Sequence, residues 1–511
     1  MSHTPVPLSS MTARQRAGQC IMIRMEGTEL SAEQAAFLRE NAIRAVCLFR
    51  GNMRNAEQLR KLTRDLREAM GENALIAIDQ EGGAVVRATW VPAPPAAMGL
   101  GAINDAALAQ EVGAAVARAV KALGFNWNFA PVLDLNNNLH NPVIAERSFG
   151  AEPEAATRLA AAWMAGSLAE GVACCVKHAP GHGDTHVDSH RDLPTVDKSL
   201  AALQALEFQP FQRIAASAPA MMTAHIVYPA LDADNPATMS RRILTGLVRE
   251  EWQFDGVVIT DGMDMHAIAG RYGVGAAAVK AFLAGADMVM ALGNRATQEE
   301  TLDALGKAIE AGTISSSELD TRQARLDALA SKYPCQLEDN AGLPIGSYAQ
   351  EGQDHVLMAQ AWQRGLTPYL AKGKAPQAPP IGSQIHLVVR ADVAHDGVSE
   401  KGLSAQDLAN WLGQLYTVTL STFANAEEFA WDSLENAGQF TILASTSRLR
   451  YPPRAKAEWR PDLHLCLWNP FHALDVDAPA ILAYGFAPPA LQALGLWLEG
   501  KIIASGRNPC L

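Results

Sequence analysis

No stretch of this sequence stays apolar long enough to span a bilayer, since every hydrophobic run is interrupted first. Met1 is followed by Ser-His-Thr-Pro-Val-Pro, without the basic start and apolar core of a secretory signal, so a cytoplasmic location is expected. Basic runs are also missing: the formal net charge is -12 and Lys and Arg are scattered, which argues against a nucleic-acid partner. Cysteine is sparse, seven in 511 residues, with Cys174 and Cys175 adjacent in an apolar run and no CxxC pair. That pattern predicts reduced packing residues, neither disulfides nor zinc ligands. Internal repeats, low-complexity tracts and a Gly-rich phosphate loop are absent too.

What is present is a rhythm. Short apolar runs at 20–25, 45–49, 74–78, 126–133, 172–176, 220–224, 256–260 and 287–292 alternate with amphipathic segments. Near-continuous apolar strands are buried on both faces, and eight of them in a βα series predict a parallel sheet closed as a (β/α)8 TIM-type barrel. Asn55 with Gln58 reads as a capping box ahead of Leu59, Leu62 and Leu66, and residues 105–123 and 154–168 read as Ala-rich helices. Helices at 297–311 and 317–331 complete a barrel expected to occupy 1–333. Residues 334–384 shift to Gly, Pro, Lys and Gln around one helix near 354–363, as a linker would. Strands at 385–390, 416–421, 440–445, 463–468 and 481–484, with a helix at 405–415, predict a smaller C-terminal α/β sandwich over 385–511.

Polar residues directly after barrel strands converge on one face. Here they are Asp79-Gln80-Glu81-Gly82-Gly83 and Arg87, Asp134-Leu135-Asn136 and Arg147, Lys177-His178, His225, and Asp261. One such aspartate is as readily a helix cap; five strand ends together predict a pocket. The loop after the fifth strand, running from Lys177 to His190, holds four histidines and two aspartates among glycines and a proline. In an extended backbone Asp188 and His190, two apart, point the same way. A carboxylate beside an imidazole suits a group that must give and then take a proton near neutral pH. The same cluster also reads as a metallohydrolase site, but there is no HxH on the first strand and no HExxH helix.

The Lys177–His190 loop resembles the pattern KH(F/I)PGHGxTxxDSH of the β-N-acetylglucosaminidase branch of glycoside hydrolase family 3, departing at Ala179. Asp79-Gln80-Glu81-Gly82-Gly83, the stretch Asn128 to Asp134, Arg147-Ser148-Phe149-Gly150, Met222-Thr223-Ala224-His225 and Gly256 to Asp261 follow in the family's order, as do Trp468-Asn469-Pro470-Phe471 and Gly500 to Arg507 in the second domain. The resemblance implies a retaining exo-β-N-acetylhexosaminidase. Asp261 would be the nucleophile and Asp188 with His190 the acid/base dyad. Asp79, Arg147, Lys177 and His178 would hold the sugar, with Arg87 and His225 in the surrounding shell of substrate-binding residues and Asp264 and Met265 beside the nucleophile. Lys177 and His178 are expected to keep Asp261 ionised.

This scheme requires no metal, nucleotide or organic cofactor. The implied substrate is a small oligosaccharide or muropeptide, with peptidoglycan recycling as the natural setting. The second domain is expected to serve packing first, with homodimer contacts or one wall of the substrate site as the other roles open to it. Three alternatives compete: a phosphorylase, a metal-dependent barrel hydrolase and a non-catalytic sugar-binding protein. The expected presence of every catalytic residue argues against the last.

Overall fold

A computed structural model describes residues 10–187, 192–337, 344, 346–393, 398–434 and 438–511. Eight parallel strands close a barrel in chain order: β1 (Ile21–Arg24), β2 (Ala45–Leu48), β3 (Leu75–Ile78), β4 (Trp127–Asn128), β5 (Ala173–Ala179), β6 (Ala220–Thr223), β7 (Val257–Gly262) and β8 (Met288–Ala291). β8 pairs back onto β1 through Met290 and Met22. All eight apolar runs of the sequence are strands, and β2, β3, β6 and β8 are buried at every position because helices cover the barrel outside.

Local chemistry explains the helix starts. Asp105 accepts from the Ala107 and Leu108 amides to open helix Ala106–Ala122, and Pro153 sits in the first turn of Pro153–Ala169, where its missing N–H costs nothing. The expected capping box at Asn55 is only half formed. Asn55 Oδ1 accepts from Gln58 N, but Gln58 Oε1 takes the amide of Arg54. The fourth strand is also shorter than the apolar run that contains it. After Asn128 the chain keeps an isolated bridge from Val132 to Lys177 and a Leu133 N–H to Lys177 O bond of 2.7 Å, without a regular ladder.

The second domain is a six-stranded sheet in the order β11 (Thr417–Phe423), β10 (Gln384–Arg390), β12 (Phe440–Ser445), β13 (Leu463–Cys466), β14 (Ala480–Leu482), β9 (Thr367–Tyr369). Five strands, β10 to β14, are parallel. The sixth, β9, comes from the segment expected to be linker and adds to β14 antiparallel at the edge. The chain end returns to the barrel, where Arg507 N donates to Ala102 O at 3.0 Å. All seven cysteines are free, and six are buried. No helix among the described residues is long and apolar enough to cross a membrane.

Candidate active site

The loop after β3 is shaped by its own side chains. Gln80 exchanges hydrogen bonds with Asn128 at the end of β4: Gln80 N donates to Asn128 Oδ1 (3.0 Å) and Asn128 Nδ2 to Gln80 O (3.1 Å). Gln80 Oε1 then accepts from the amides of Arg87 (2.8 Å) and Ala88 (3.2 Å), closing the loop. Gly82 adopts φ 128°, and a Cβ there would lie 2.2 Å from Pro95 O, so glycine is the one residue that fits. Asp79 and Glu81 are thereby held two residues apart on a fixed turn.

Both carboxylates meet cations from other strand ends. Lys177 Nζ lies 2.8 Å from Asp79 Oδ1 and 2.7 Å from Glu81 Oε1. Arg147 pairs with Glu81 through two parallel bonds, Nε to Oε2 at 2.9 Å and Nη2 to Oε1 at 2.8 Å, and Arg87 Nη2 stands 3.6 Å from Asp79 Oδ2. Burial alone would lift the Glu81 carboxyl, but the charges of Arg147 and Lys177 hold it well below the usual range. Burial would likewise lower the Lys177 ammonium, and Asp79 and Glu81 reverse that and raise it. Glu81 and Lys177 are therefore both charged at neutral pH.

Asp134, after β4, orients the next residue along. Its carboxylate accepts from His178 Nδ1 at 2.7 Å, from His178 N at 3.1 Å and from His182 N at 2.6 Å. Nδ1 therefore carries the His178 proton, since a carboxylate only accepts. Burial would raise the Asp134 carboxyl; the His178 ring and these donors hold it down. His182, ring to ring with His178 at 5.6 Å, is pushed down to about 4, by burial first and then by His178, and is neutral.

The root of the loop after β5 is tied to the turn that carries Arg147. Asn141 Nδ2 donates to the carbonyls of His182 (2.9 Å) and Gly183 (3.0 Å), while its Oδ1 accepts from the amides of Val143 and Ile144. Tyr228 donates to Gly181 O, and Lys198 pairs with Asp184 at 2.6 Å. The expected dyad, Asp188 and His190, lies outside the described residues.

Asp79, Arg87, Arg147, Lys177, His178 and Asp261 all line one cavity of about 200 Å³ at the C-terminal ends of the strands. Asp264 and Met265 line it as well. Asp261, on β7, is half-buried and accepts from Gly262 N at 2.7 Å. Lys177 and His178, expected to keep Asp261 charged, make polar contacts to Asp79 and Glu81 and to Asp134. One expectation changes. His225 does not line the cavity. It is fully buried, its Nε2–H donates to Gly262 O at 2.9 Å, and Nδ1 meets Thr238 Oγ1 at 2.8 Å, so it braces the backbone beside Asp261 from behind.

Glu81, quoted only as part of a motif, is the hub of the array, and its position two residues after Asp79 was the available signal. Val398, on the cavity wall, and Glu400, 3.1 Å from Arg87, come from the second domain, where no local pattern announces them. Among the described residues no three His, Cys, Asp or Glu side chains form a group able to hold a metal ion.

A closed barrel whose strand ends gather carboxylates and cations in one cavity places the candidate site on the face where (β/α)8 barrel enzymes carry theirs. The sequence profile of the glycosyl hydrolase family 3 N terminal domain matches residues 12–329, and the chain belongs to that family. A beta-hexosaminidase A of Pseudoalteromonas piscicida is 36% identical over 372 residues, 67% of this chain and 61% of that protein, so the match spans less than two thirds of its length. A beta-hexosaminidase of Pseudomonas aeruginosa is 37% identical over 290 residues, 56% of this chain and 86% of its own. In structure the chain is similar to a glycoside hydrolase family 3 beta-N-acetylglucosaminidase from Paenibacillus sp. str. FPU-7, with TM-score 0.88 and 33% identity over 98% of this chain and 99% of that one.

Proposed function

We propose that the protein is a retaining exo-β-N-acetylhexosaminidase that releases terminal β-N-acetylglucosamine through a covalent glycosyl-enzyme. The observation that carries this reading is the shared cavity: Asp261 at the end of β7 faces the same space as the array of Asp79, Glu81, Arg147 and Lys177. Fixed donors and acceptors of both signs suit a polyhydroxylated ligand, and a half-buried carboxylate beside them suits attack on its anomeric carbon. His190, held by Asp188, donates the proton to the leaving oxygen and then takes one from the attacking water. The similarity to two beta-hexosaminidases and to a beta-N-acetylglucosaminidase supports the N-acetylhexosamine specificity.

For the aglycone the reading is a muropeptide, cut between N-acetylglucosamine and anhydro-N-acetylmuramic acid in cytoplasmic cell-wall recycling. Arg24, exposed at the cavity mouth, offers a cation to a carboxylate-bearing aglycone of that kind.

The test is release of nitrophenol from p-nitrophenyl N-acetyl-β-D-glucosaminide and from the β-glucoside, with wild type, Asp261→Ala and His190→Ala, in phosphate buffer. Turnover of the N-acetyl substrate, abolished in Asp261→Ala and reduced about a hundred- to ten-thousand-fold in His190→Ala, is expected. The free sugar should be the product; its 1-phosphate would identify a phosphorylase. Preference for the plain glucoside, or full activity of Asp261→Ala, would overturn the assignment.

A further inference from the structure

One segment of the second domain, after β10, reaches the cavity. Val398 forms part of its wall, and two residues on Glu400 Oε1 accepts from Arg87 Nη1 at 3.1 Å. The contact is fixed from both sides, because Glu400 N donates to Ala84 O at 2.8 Å, within the loop that carries Arg87. The guanidinium lies between Glu400 and Asp79, and together they hold its pKa up against the effect of burial. Arg87 Nε is buried and has no hydrogen-bond partner among the described residues, so the guanidinium is held through its two terminal nitrogens alone.

Charge makes the same point. Within the barrel the array has Arg87, Arg147 and Lys177 against Asp79 and Glu81, and Glu400 supplies the third carboxylate. A second contact steadies the other arginine. Glu146, the residue before Arg147, is fully buried and accepts from Arg448 Nη2 at 2.6 Å and Trp468 Nε1 at 2.9 Å, both from the second domain. Arg448 Nη2 also donates to Ser399 Oγ at 2.9 Å, so the segment at 398–400 and the Arg147 turn are joined through one side chain.

We infer that the second domain positions the sugar-binding arginines, with Glu400 aiming Arg87 and the Arg448–Glu146 pair holding the turn of Arg147. The nature of the sugar rests on the proposed function; the aiming of Arg87 does not. A domain that merely packed against the barrel would leave Arg87 in place when the Glu400 carboxylate is removed. Glu400 stands in a partly exposed segment, so its substitution spares the core.

The experiment compares full-length wild type, Glu400→Ala and Glu400→Gln by crystal structure and by kinetics on p-nitrophenyl N-acetyl-β-D-glucosaminide. In Glu400→Ala the Arg87 guanidinium is expected to leave its position and turn onto Asp79. KM should rise about tenfold, the scale of one hydrogen bond between charged groups, with kcat within about twofold. Glu400→Gln, which keeps the acceptor but not the charge, should recover part of the loss. Arg87 unmoved in the Glu400→Ala structure would overturn the inference. If wild type turns over no N-acetylhexosaminide, the functional reading fails, and the crystal structures still decide whether Glu400 aims Arg87.

Discussion

Arg147 and Glu81 face each other along the full edge of the guanidinium, at 2.9 and 2.8 Å, with side chains only 5% and 7% exposed. This bidentate pair, joined by Lys177, is the rigid centre of the site.

Removing one partner of a buried pair leaves an uncompensated charge. Glu81→Gln should therefore destabilise the fold by about 3–5 kcal/mol at pH 7, read as a lower urea midpoint. The Glu81 carboxyl is held below its unfolded value of about 4.3, so its stabilisation is complete above that pH and is lost as pH falls towards the folded value. The gap between wild type and variant should accordingly narrow on acidification below about pH 4. A gap independent of pH would mean that Glu81 is not ionised in the fold.

His182 gives a separate limb of pH dependence. Its folded value of about 4 lies below the unfolded 6.5, so the unfolded chain binds the extra proton between them, and stability falls as pH drops through 6.5 towards 4. The expected loss approaches about 3 kcal/mol over that window. In His182→Gln the curve of urea midpoint against pH should flatten there, even though the variant also loses the contact with Thr185. An unchanged slope would assign the titration to another group.

Gly183 is pressed against the β4 side of the barrel mouth. A Cβ at this position would lie 1.5 Å from Leu135 O, so Gly183→Ala must displace the root of the loop that leads to Asp188 and His190. Overpacking of this kind costs about 1–3 kcal/mol. Because the displaced loop carries the proposed acid/base, kcat should fall at least about tenfold, the scale of a misplaced catalytic group. Wild-type kcat with lowered stability would separate the loop's position from catalysis.

The strands were legible because eight apolar runs had to be buried on both faces, as the strands of a parallel sheet covered by helices are. β9 was not legible: three residues including Pro368 carry no pattern of their own, and they form a strand because the edge of β14 offers hydrogen-bond partners. The gathering of Asp79, Lys177, His178 and Asp261 followed from their place at or directly after strands, where the barrel sends every chain end to the same face. His225 shows the limit of that rule. It also follows a strand, but its ring turns to Thr238 and to the carbonyl of Gly262 rather than to the cavity.

Alone, the sequence determined the barrel, the face that carries the chemistry and most of the residues that line it, since those depend on periodicity and on short offsets from each strand. Which charge answers which was decided by the tertiary structure. Lys177 meets Asp79 and Glu81 across different strands, and Glu400 reaches Arg87 from 313 residues away. The first pairing is set by how the strands close into a barrel and the second by how the two domains dock, and no local pattern of residues encodes either.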